Sequence, residues 1–407
     1  AMLSGASCLA QQSPASAMPS EQEISDSYIY LLGRLLVLRQ QQLDFKEGFR
    51  WNQLVHRKPG EVAWPNPNLD VAYSEGWVAV DEKSCLLVTV PRVEGRYYTM
   101  QFLNGWGETV ANINERVFPA HPHGQFAVCL KGAEVKLPAG AQRVDVPVKQ
   151  MRVLSRVELG SNWKQAEALQ KKFAVRSTGK AAVPAMPNTG AFDVSNLPGV
   201  EAFDSADAVL DSEADINPGM DKVQASTRAI AKAVKDPAQR QRIDQAVRGK
   251  AFADIKSALS TIGGSKVENG WVLPAASGVY GNNWLIRTLI NDGGIWANVP
   301  EEVIYFKAFA DVDGVPLSGD HSYTLRFAKE QLPAQYATYF WSIIAVDSVN
   351  RRVLPNPQKR YLLNKESKLQ YGPDGSLTLY FGAMRPADAP QANWLPTPTG
   401  VRYSLTF

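Results

Sequence analysis

The sequence lacks long apolar runs and an excess of charge of either sign. No run approaches the roughly 20 apolar residues of a membrane-spanning helix, so we expect no membrane span. The 43 basic and 40 acidic residues are mixed along the chain, and the absence of a basic stripe argues against nucleic-acid binding. A chain of 407 residues is long enough for two domains, since a domain usually takes roughly 100–200 residues.

The sequence also lacks the short motifs of familiar enzymes. The patterns G-x-S-x-G, G-x-G-x-x-G and C-x-x-C and the P-loop are missing, so no nucleophile elbow, dinucleotide site, dithiol site or nucleotide phosphate site is indicated. We therefore predict no cofactor, and these patterns do not decide whether the protein is an enzyme.

Histidine is scarce, with four in the chain. His121 and His123 would point to the same side of an extended segment, and Cys129 has matching parity further along. No acidic residue follows at the spacing of cupin-type metal sites, and Pro122 favours a loop. A surface loop is the favoured interpretation, a metal site is the weaker alternative, and we predict no metal.

Three cysteines bear on the compartment of the protein. Cys85 and Cys129 lie in apolar, strand-like runs, where they form either a disulfide or two buried thiols. Buried thiols are the favoured alternative, because a core of this size needs no covalent link.

Residues 1–19 are small, mostly apolar and uncharged, and Ala15-Ser16-Ala17 is typical of a signal-peptidase site. We interpret this stretch as the remnant of a secretory signal or a disordered end, which predicts a periplasmic or secreted protein. Lipidation of Cys8 is an alternative, but Gly5 stands where a lipoprotein signal has Leu.

Periodicity divides the rest of the chain. Ser20 and Glu23 have the spacing of a capping box and are followed by apolar residues at helical intervals, which predicts an amphipathic helix. Short β-branched and aromatic runs then indicate antiparallel strands, helical and loop patterns replace them, and strands return. We predict a mainly β fold with two jelly-roll-like antiparallel sandwich domains. The predicted parts are an N-terminal helix with the first sandwich (20–160), a helical and loop insertion (161–265) and the second sandwich (266–407).

Polar residues gather where a loop leads into a predicted strand. Asn68, Asp70 and Tyr73 either cap the local backbone or converge on a ligand. Further along, strand alternation places Tyr97 and Tyr98 on opposite faces, so that one belongs to the core and the other is a candidate pocket residue. We choose Tyr98 as the pocket candidate.

Several segments together resemble a bacterial two-domain family, in which domain of unknown function 1254 precedes domain of unknown function 1214. The resemblance covers most of the chain, and it implies two jelly-roll-like sandwiches, often in exported proteins, without a settled activity. The first domain departs from the family pattern at Leu69, Val71, Ala72 and Asn104. The segments that carry the resemblance are PNLDVAYS (67–74), RYYTMQFLN (96–104), YGNNWLIR (280–287), DVDGVPLSGDHSYTLRF (311–327), YFWSIIAVD (339–347), DGSLTLYF (374–381) and NWLPTPTG (393–400).

Different classes of function fit these residues. The first is a module that binds a small polar or carbohydrate-like ligand, or a scaffold that packs a neighbouring subunit in a homo-oligomer. The second is a hydrolase or lyase with Asp70 as base, Tyr73 or Tyr98 as acid, and Arg96 or Arg287 holding an anionic group. A metal-dependent enzyme using His121 and His123 is the third.

We expect the ligand where the two domains meet, since pockets form preferentially at domain interfaces. The residues predicted to line one common cavity there are Asp70, Tyr98, Arg287 and Trp394. The further ligand-binding candidates are Asn68, Trp341 and Asn393.

Overall fold

The structure is a computed structural model, and it describes residues 18–61, 65–274 and 276–407. The predicted signal-peptide site and Cys8 lie outside the described residues. Within the described chain no helix is long and apolar enough to cross a lipid bilayer.

A long helix, α1 (Glu21–Glu47), begins at the predicted capping box. The Ser20 hydroxyl accepts from the backbone N–H of Glu23, and the Glu23 carboxylate accepts from the backbone N–H of Ser20. The helix ends at Gly48, whose φ of 116° favours glycine. The described helices are α1, α2 (Trp163–Gln170), α3 (Ala206–Ser212), α4 (Asp221–Ala233), α5 (Pro237–Ala246), α6 (Phe252–Leu259) and α7 (Trp284–Gly293), with a π-helical turn (Val247–Ala251) between α5 and α6.

Helix α1 is buried on nearly all sides for most of its length rather than on one face. Consecutive residues such as Tyr30, Leu31 and Leu32 are all inaccessible or nearly so, because α4, α5 and α7 pack around the helix. An apolar repeat in the sequence predicts a helix, but the number of neighbours that surround it depends on segments far away in the chain.

Strands in the described residues form four sheets, and the fold is mainly β, although helical and strand residues are nearly equal in number. The sheet orders are β1-β2-β8-β4-β5, β7-β6-β3-β9, β10-β11-β12-β18-β14-β15 and β13-β16-β17. Pairing is antiparallel except between β6 and β7 and between β16 and β17. The strands are β1 (Val55–His56), β2 (Val71–Ala79), β3 (Leu86–Val90), β4 (Tyr98–Leu103), β5 (Thr109–Ile113), β6 (Gly124–Leu130), β7 (Gln142–Val146), β8 (Gln150–Glu158), β9 (Ala174–Ser177), β10 (Val267–Glu268), β11 (Trp271–Val272), β12 (Lys307–Ala308), β13 (Tyr323–Phe327), β14 (Ser342–Asp347), β15 (Leu362–Asn364), β16 (Leu377–Gly382), β17 (Trp394–Pro396) and β18 (Tyr403–Thr406).

Three large apolar cores correspond to these layers. The five-stranded and four-stranded sheets share one core, to which Val153 contributes from the first sheet and Phe126 from the second. The second-domain sheets share another core, which includes Ile343 and Leu379. A third core lies between α1 and the helices around it.

Two elements pack in a different part of the fold from the one that the predicted domain boundaries assign to them. Strand β9, inside the segment expected to be an insertion, pairs with β3 and so belongs to the four-stranded sheet. Helix α7, inside the segment assigned to the second domain, packs on α1.

Cys85 and Cys129 form a disulfide, with a Cα–Cα distance of 4.5 Å and a sequence separation of 44 residues. The prediction of two buried thiols from the sequence is wrong, because the two sulfur atoms are bonded. The pairing of β3 with β6 sets Leu86 opposite Val128, which brings the two adjacent cysteines face to face. That register cannot be read from the two apolar runs alone.

Removing this bond by Cys85→Ser with Cys129→Ser should lower the free energy of unfolding by about 2–4 kcal/mol, because the unfolded chain regains the freedom of a long closed loop. Urea unfolding of both proteins, with and without reductant, measures the difference. Reductant should destabilise only the wild type, and a wild type that is indifferent to reductant would contradict the expectation.

Candidate functional site

Strand β8 contributes apolar side chains to one face of the five-stranded sheet and charged side chains to the other. Val153 and Val157 point into the core that is shared with the four-stranded sheet. Arg152, Arg156 and Glu158, which alternate with them, lie on the opposite face. We call this opposite side the charged face, and the three charged residues that β8 contributes to it are buried.

At one end of the charged face, Arg152 has a structural role. Its guanidinium donates to Asp44 of α1 at 2.7 Å and to Glu75 of β2 at 2.8 Å. The Trp77 indole N–H also donates to Asp44, at 2.8 Å. These contacts fix α1 against the sheet with each charge paired, which is the condition for burying charges at tolerable cost.

The other end of the charged face meets the second domain. The Lys365 ammonium lies 2.5 Å from the Glu158 carboxylate, and the backbone N–H of Tyr97 donates to the same carboxylate at 2.9 Å. Asp70, which directly precedes β2, accepts from the Asn364 side-chain amide at 2.7 Å. Two buried carboxylates of the first domain are therefore held by consecutive residues of the second.

A cavity of about 230 Å³ opens between the domains at this point, and we call it the boundary cavity. Asp70 and Glu158 contribute carboxylates, and Trp163 contributes an indole that is 48% exposed. Trp163 is the first residue of α2, whose start is fixed by the Asn162 side chain accepting from the backbone N–H of Gln165. The full lining is Leu69, Asp70, Glu158, Leu159, Gly160, Trp163, Phe340, Leu362, Asn364, Lys365, Glu366 and Ser367.

The electrostatics of the cavity centre on Asp70. Burial raises the pKa of its carboxyl, because the charged form loses hydration, whereas hydrogen bonds from Ser342 and Asn364 act in the opposite direction. The nearby carboxylate of Glu158 raises the pKa further. The cavity thus combines acidic hydrogen-bond acceptors, one ammonium and a flat apolar ring.

Asp70 lines the boundary cavity, and Asn68 supports its position. The Asn68 side chain accepts from the backbone N–H of Asp70 at 2.9 Å, a local turn contact. Tyr73 lies half-buried on the charged face, with its ring centre 5.7 Å from the guanidinium carbon of Arg156.

Tyr98 lies in the shared core of the two first-domain sheets, and its hydroxyl donates to the carbonyl of Pro122. The tyrosine on the charged face is Tyr97, whose hydroxyl donates to Glu302 at 2.9 Å. The predicted alternation is present, but the choice of Tyr98 for the pocket needs correction. Alternation separates two faces without saying which of them is covered by a second sheet.

Arg287 belongs to a different buried cluster. Its side chain is 1% exposed and lies 2.8 Å from Asp215 and 3.4 Å from Glu108. The guanidinium carbon is 4.5 Å from the ring centre of Trp106 and 5.6 Å from that of Tyr30. These partners come from α1, the turn before β5 and the loop after α3, so Arg287 joins α7 to the helical layer.

The remaining aromatic and amide candidates are buried in the second domain. Trp394 donates its indole N–H to the Gly382 carbonyl at 3.0 Å, and Trp341 packs on Phe407. Asn393 exchanges hydrogen bonds with the backbone of Gln370. The four residues expected on one cavity are therefore not brought together, since Asp70 alone among them lines the boundary cavity.

His121 is exposed and packs its ring against Phe126, at 5.8 Å between ring centres. Cys129, the third residue of matching parity, is bonded to Cys85 and is not free to bind a metal. In the described parts of the chain, no group of three or more His, Cys, Asp or Glu side chains is arranged to hold a metal ion, and this includes the surroundings of His123.

Sequence reasoning missed Glu158, Trp163, Asn364 and Lys365. Glu158 carries a usable signal, because it alternates with apolar residues at the end of a long strand. Trp163, Asn364 and Lys365 each lie more than 90 residues from Asp70 in the sequence, and Trp163 is at a helix start. Their neighbours in the sequence do not indicate that these residues meet.

Two family models match the chain. Residues 51–177 match "Protein of unknown function (DUF1254)", and residues 302–407 match "Protein of unknown function (DUF1214)". This order confirms the resemblance seen in the sequence. No protein with a curated description matches the chain.

Solved structures resemble the fold. The VPA0106 protein from Vibrio parahaemolyticus is 19% identical, with a TM-score of 0.60 over 95% of this chain and 94% of that one. A putative uncharacterised protein from Burkholderia cenocepacia is 12% identical, with a TM-score of 0.45 over 95% of this chain and 90% of that one. At 19% identity the likeness to the Vibrio protein concerns the fold alone. With a TM-score of 0.45, the likeness to the Burkholderia protein supports no conclusion.

The raised pKa of Asp70 predicts how the stability of the folded protein depends on pH. The folded protein keeps the Asp70 proton at pH values where the unfolded chain has lost it, so stability falls as the pH rises through the folded pKa. Asp70→Asn keeps the shape and does not titrate. Near pH 7 it should be more stable than the wild type, by about 1.4 kcal/mol for each unit by which the pKa is raised.

Urea unfolding at a series of pH values measures this effect. The advantage of Asp70→Asn should shrink toward about pH 4, the ordinary range for aspartate. Asp374→Asn is the control, because hydrogen bonds to Ser376 lower the pKa of this exposed carboxyl and the pH dependence should have the opposite sign. An Asp70→Asn protein less stable than the wild type at pH 7 would show that the charged form is favoured.

Proposed function

We propose that this chain, which belongs to the family in which DUF1254 is followed by DUF1214, binds a small polar, carbohydrate-like ligand in the boundary cavity. The observation that carries the proposal is an exposed tryptophan, Trp163, at a cavity that also contains the buried carboxylates of Asp70 and Glu158.

The chemistry of the lining suits a molecule with hydroxyl groups around a compact ring. Ionised carboxylates accept hydrogen bonds from hydroxyls, and such charge-assisted bonds are stronger than neutral ones. The indole of Trp163 offers a flat apolar surface for the C–H face of a sugar ring. The cavity volume of about 230 Å³ is below the roughly 300–1,000 Å³ of drug-sized pockets, which favours a ligand near one sugar ring in size.

We also propose that the protein is exported and that its sheets form two sandwiches. A disulfide between Cys85 and Cys129 supports an oxidising compartment, either the periplasm or the outside of the cell, since such bonds are rare in the cytosol. The apolar cores shared by pairs of sheets support two jelly-roll-like sandwiches.

A binding test uses a panel of neutral mono- and disaccharides, with isothermal titration calorimetry as the measurement. Trp163→Ala should weaken binding about tenfold, corresponding to about 1.4 kcal/mol, because the stacking surface is lost. Tyr371→Ala, which removes an exposed aromatic ring outside the cavity lining, is the matched control and should bind as the wild type does. Failure of every sugar to bind, or equal affinity of Trp163→Ala, would leave a scaffold as the better account.

Hydrolase or lyase activity at the same cavity is the second candidate function. Two carboxyl groups share the cavity, and the pKa of Asp70 is raised by burial, which suits a general acid opposite an ionised partner. A panel of nitrophenyl glycosides tests it, with Asp70→Asn expected to reduce turnover at least 100-fold relative to Asp374→Asn. No turnover of any substrate between acidic and neutral pH would contradict this candidate for glycosides.

A further inference from the structure

We propose a second binding site, for a small organic carboxylate, around the buried Arg156 on the charged face. Arg156 and the tyrosines Tyr73, Tyr97 and Tyr305 define this site, which we call the Arg156 recess. The recess differs from the boundary cavity in its charged groups: the cavity contains the carboxylates of Asp70 and Glu158, whereas the recess contains the Arg156 guanidinium and three phenols, of which Tyr97 already donates to Glu302.

Arg156 is bonded to neutral groups. Its guanidinium donates to the Gln101 side-chain oxygen at 2.5 Å and to the Trp296 carbonyl at 3.0 Å. By contrast, Arg152 and Arg287, which are buried more deeply than Arg156, contact two carboxylates each. Among the residues that the structure describes, no carboxylate lies within 4.0 Å of the Arg156 guanidinium.

A buried cation without a counter-ion is unfavourable, because it loses hydration and gains no opposite charge in return. The backbone and amide oxygens around Arg156 compensate in part, but they carry no net charge. An anionic ligand would complete the site, and guanidinium is the side chain best shaped to bind a carboxylate.

Tyr73 and Tyr305 are suited to donate hydrogen bonds to such an anion, whereas the Tyr97 hydroxyl already donates to Glu302. Burial raises the pKa of Tyr73 to about 12 and also raises that of Tyr305, so both phenols stay protonated at neutral pH. Tyr73, Tyr97 and Tyr305 are only half-buried. Part of the surface of each side chain therefore remains accessible, as a site that a small molecule can reach requires.

The segment leading into β12 adds a second cation on the same side of the domain boundary. Phe306 packs on Phe407, and Ala308 lies in the second-domain core, so alternation turns Tyr305 and Lys307 toward the first domain. The Lys307 ammonium donates to the Asn66 side-chain oxygen at 3.0 Å. Burial lowers the pKa of Lys307 to about 8, with the nearby Arg351 contributing.

The walls of the recess favour an aromatic or otherwise flat acid. The Tyr73 ring lies beside Arg156, with its centre 5.7 Å from the guanidinium carbon. The guanidinium and the Tyr73 phenol could therefore contact one carboxylate group. Tyr97 also packs against Phe340, at 6.1 Å between ring centres, and Phe340 lines the boundary cavity. The two sites are therefore neighbours with the Tyr97 ring between them.

Benzoate is the probe that tests the proposal, and benzyl alcohol is its neutral counterpart. Calorimetry or ligand-detected NMR should show one benzoate per chain at millimolar or lower concentration, and no binding of benzyl alcohol at the same concentration. Arg156→Lys keeps the charge but loses the planar pair of donors, and it should weaken benzoate binding at least tenfold.

Tyr305→Phe removes one hydroxyl and is the variant to measure if Arg156→Lys does not fold. It should weaken benzoate binding about three- to tenfold. Tyr98→Phe removes a hydroxyl on the opposite face of the same sheet and should bind benzoate as the wild type does. Sugar binding at the boundary cavity should be unchanged in Tyr305→Phe, so the two proposals can fail separately. Absence of benzoate binding, or binding that Tyr305→Phe and Tyr98→Phe affect equally, would overturn the proposal.

Discussion

Strand β8 places charged side chains on a buried face of its sheet, and each of these side chains requires a polar or charged partner. The rest of the structure depends on this constraint. The apolar residues of β8 pack against the four-stranded sheet, and Arg152, Arg156 and Glu158 necessarily point the other way. Burying charges without partners would cost several kcal/mol each. Each of the three residues therefore contacts a different part of the chain, and together these contacts determine what covers the sheet.

The partners follow the order of the charges along the strand. Arg152 binds Asp44 of α1, which carries the helical layer with it. Arg156 binds the backbone at Trp296, in the segment that passes from α7 to β12. Glu158 binds Lys365 of the second domain, next to Asn364, which binds Asp70. The domain boundary consequently contains several polar contacts, and domain interfaces are among the places where small-molecule sites form preferentially.

Much of the fold could be predicted from the sequence, because its signals are local. The capping box at Ser20 and the alternating runs of the strands specify the elements without reference to the rest of the chain. Which face of a strand is covered is a tertiary property, and for this reason alternation separated Tyr97 from Tyr98 without assigning the pocket. The same limit applies to Cys85 and Cys129, whose bond depends on strand register, and to Trp163, which a helix start brings to the cavity.

The most direct test of the central claim is a double-mutant cycle on the pair that joins the domains, Glu158 and Lys365. Glu158→Gln, Lys365→Met and the double variant are compared with the wild type by urea unfolding, and the coupling is the departure of the double variant from additivity. If charges on β8 fix the second domain against the first, the coupling should be favourable and at least about 0.5 kcal/mol. Additive effects of the two substitutions would contradict the account.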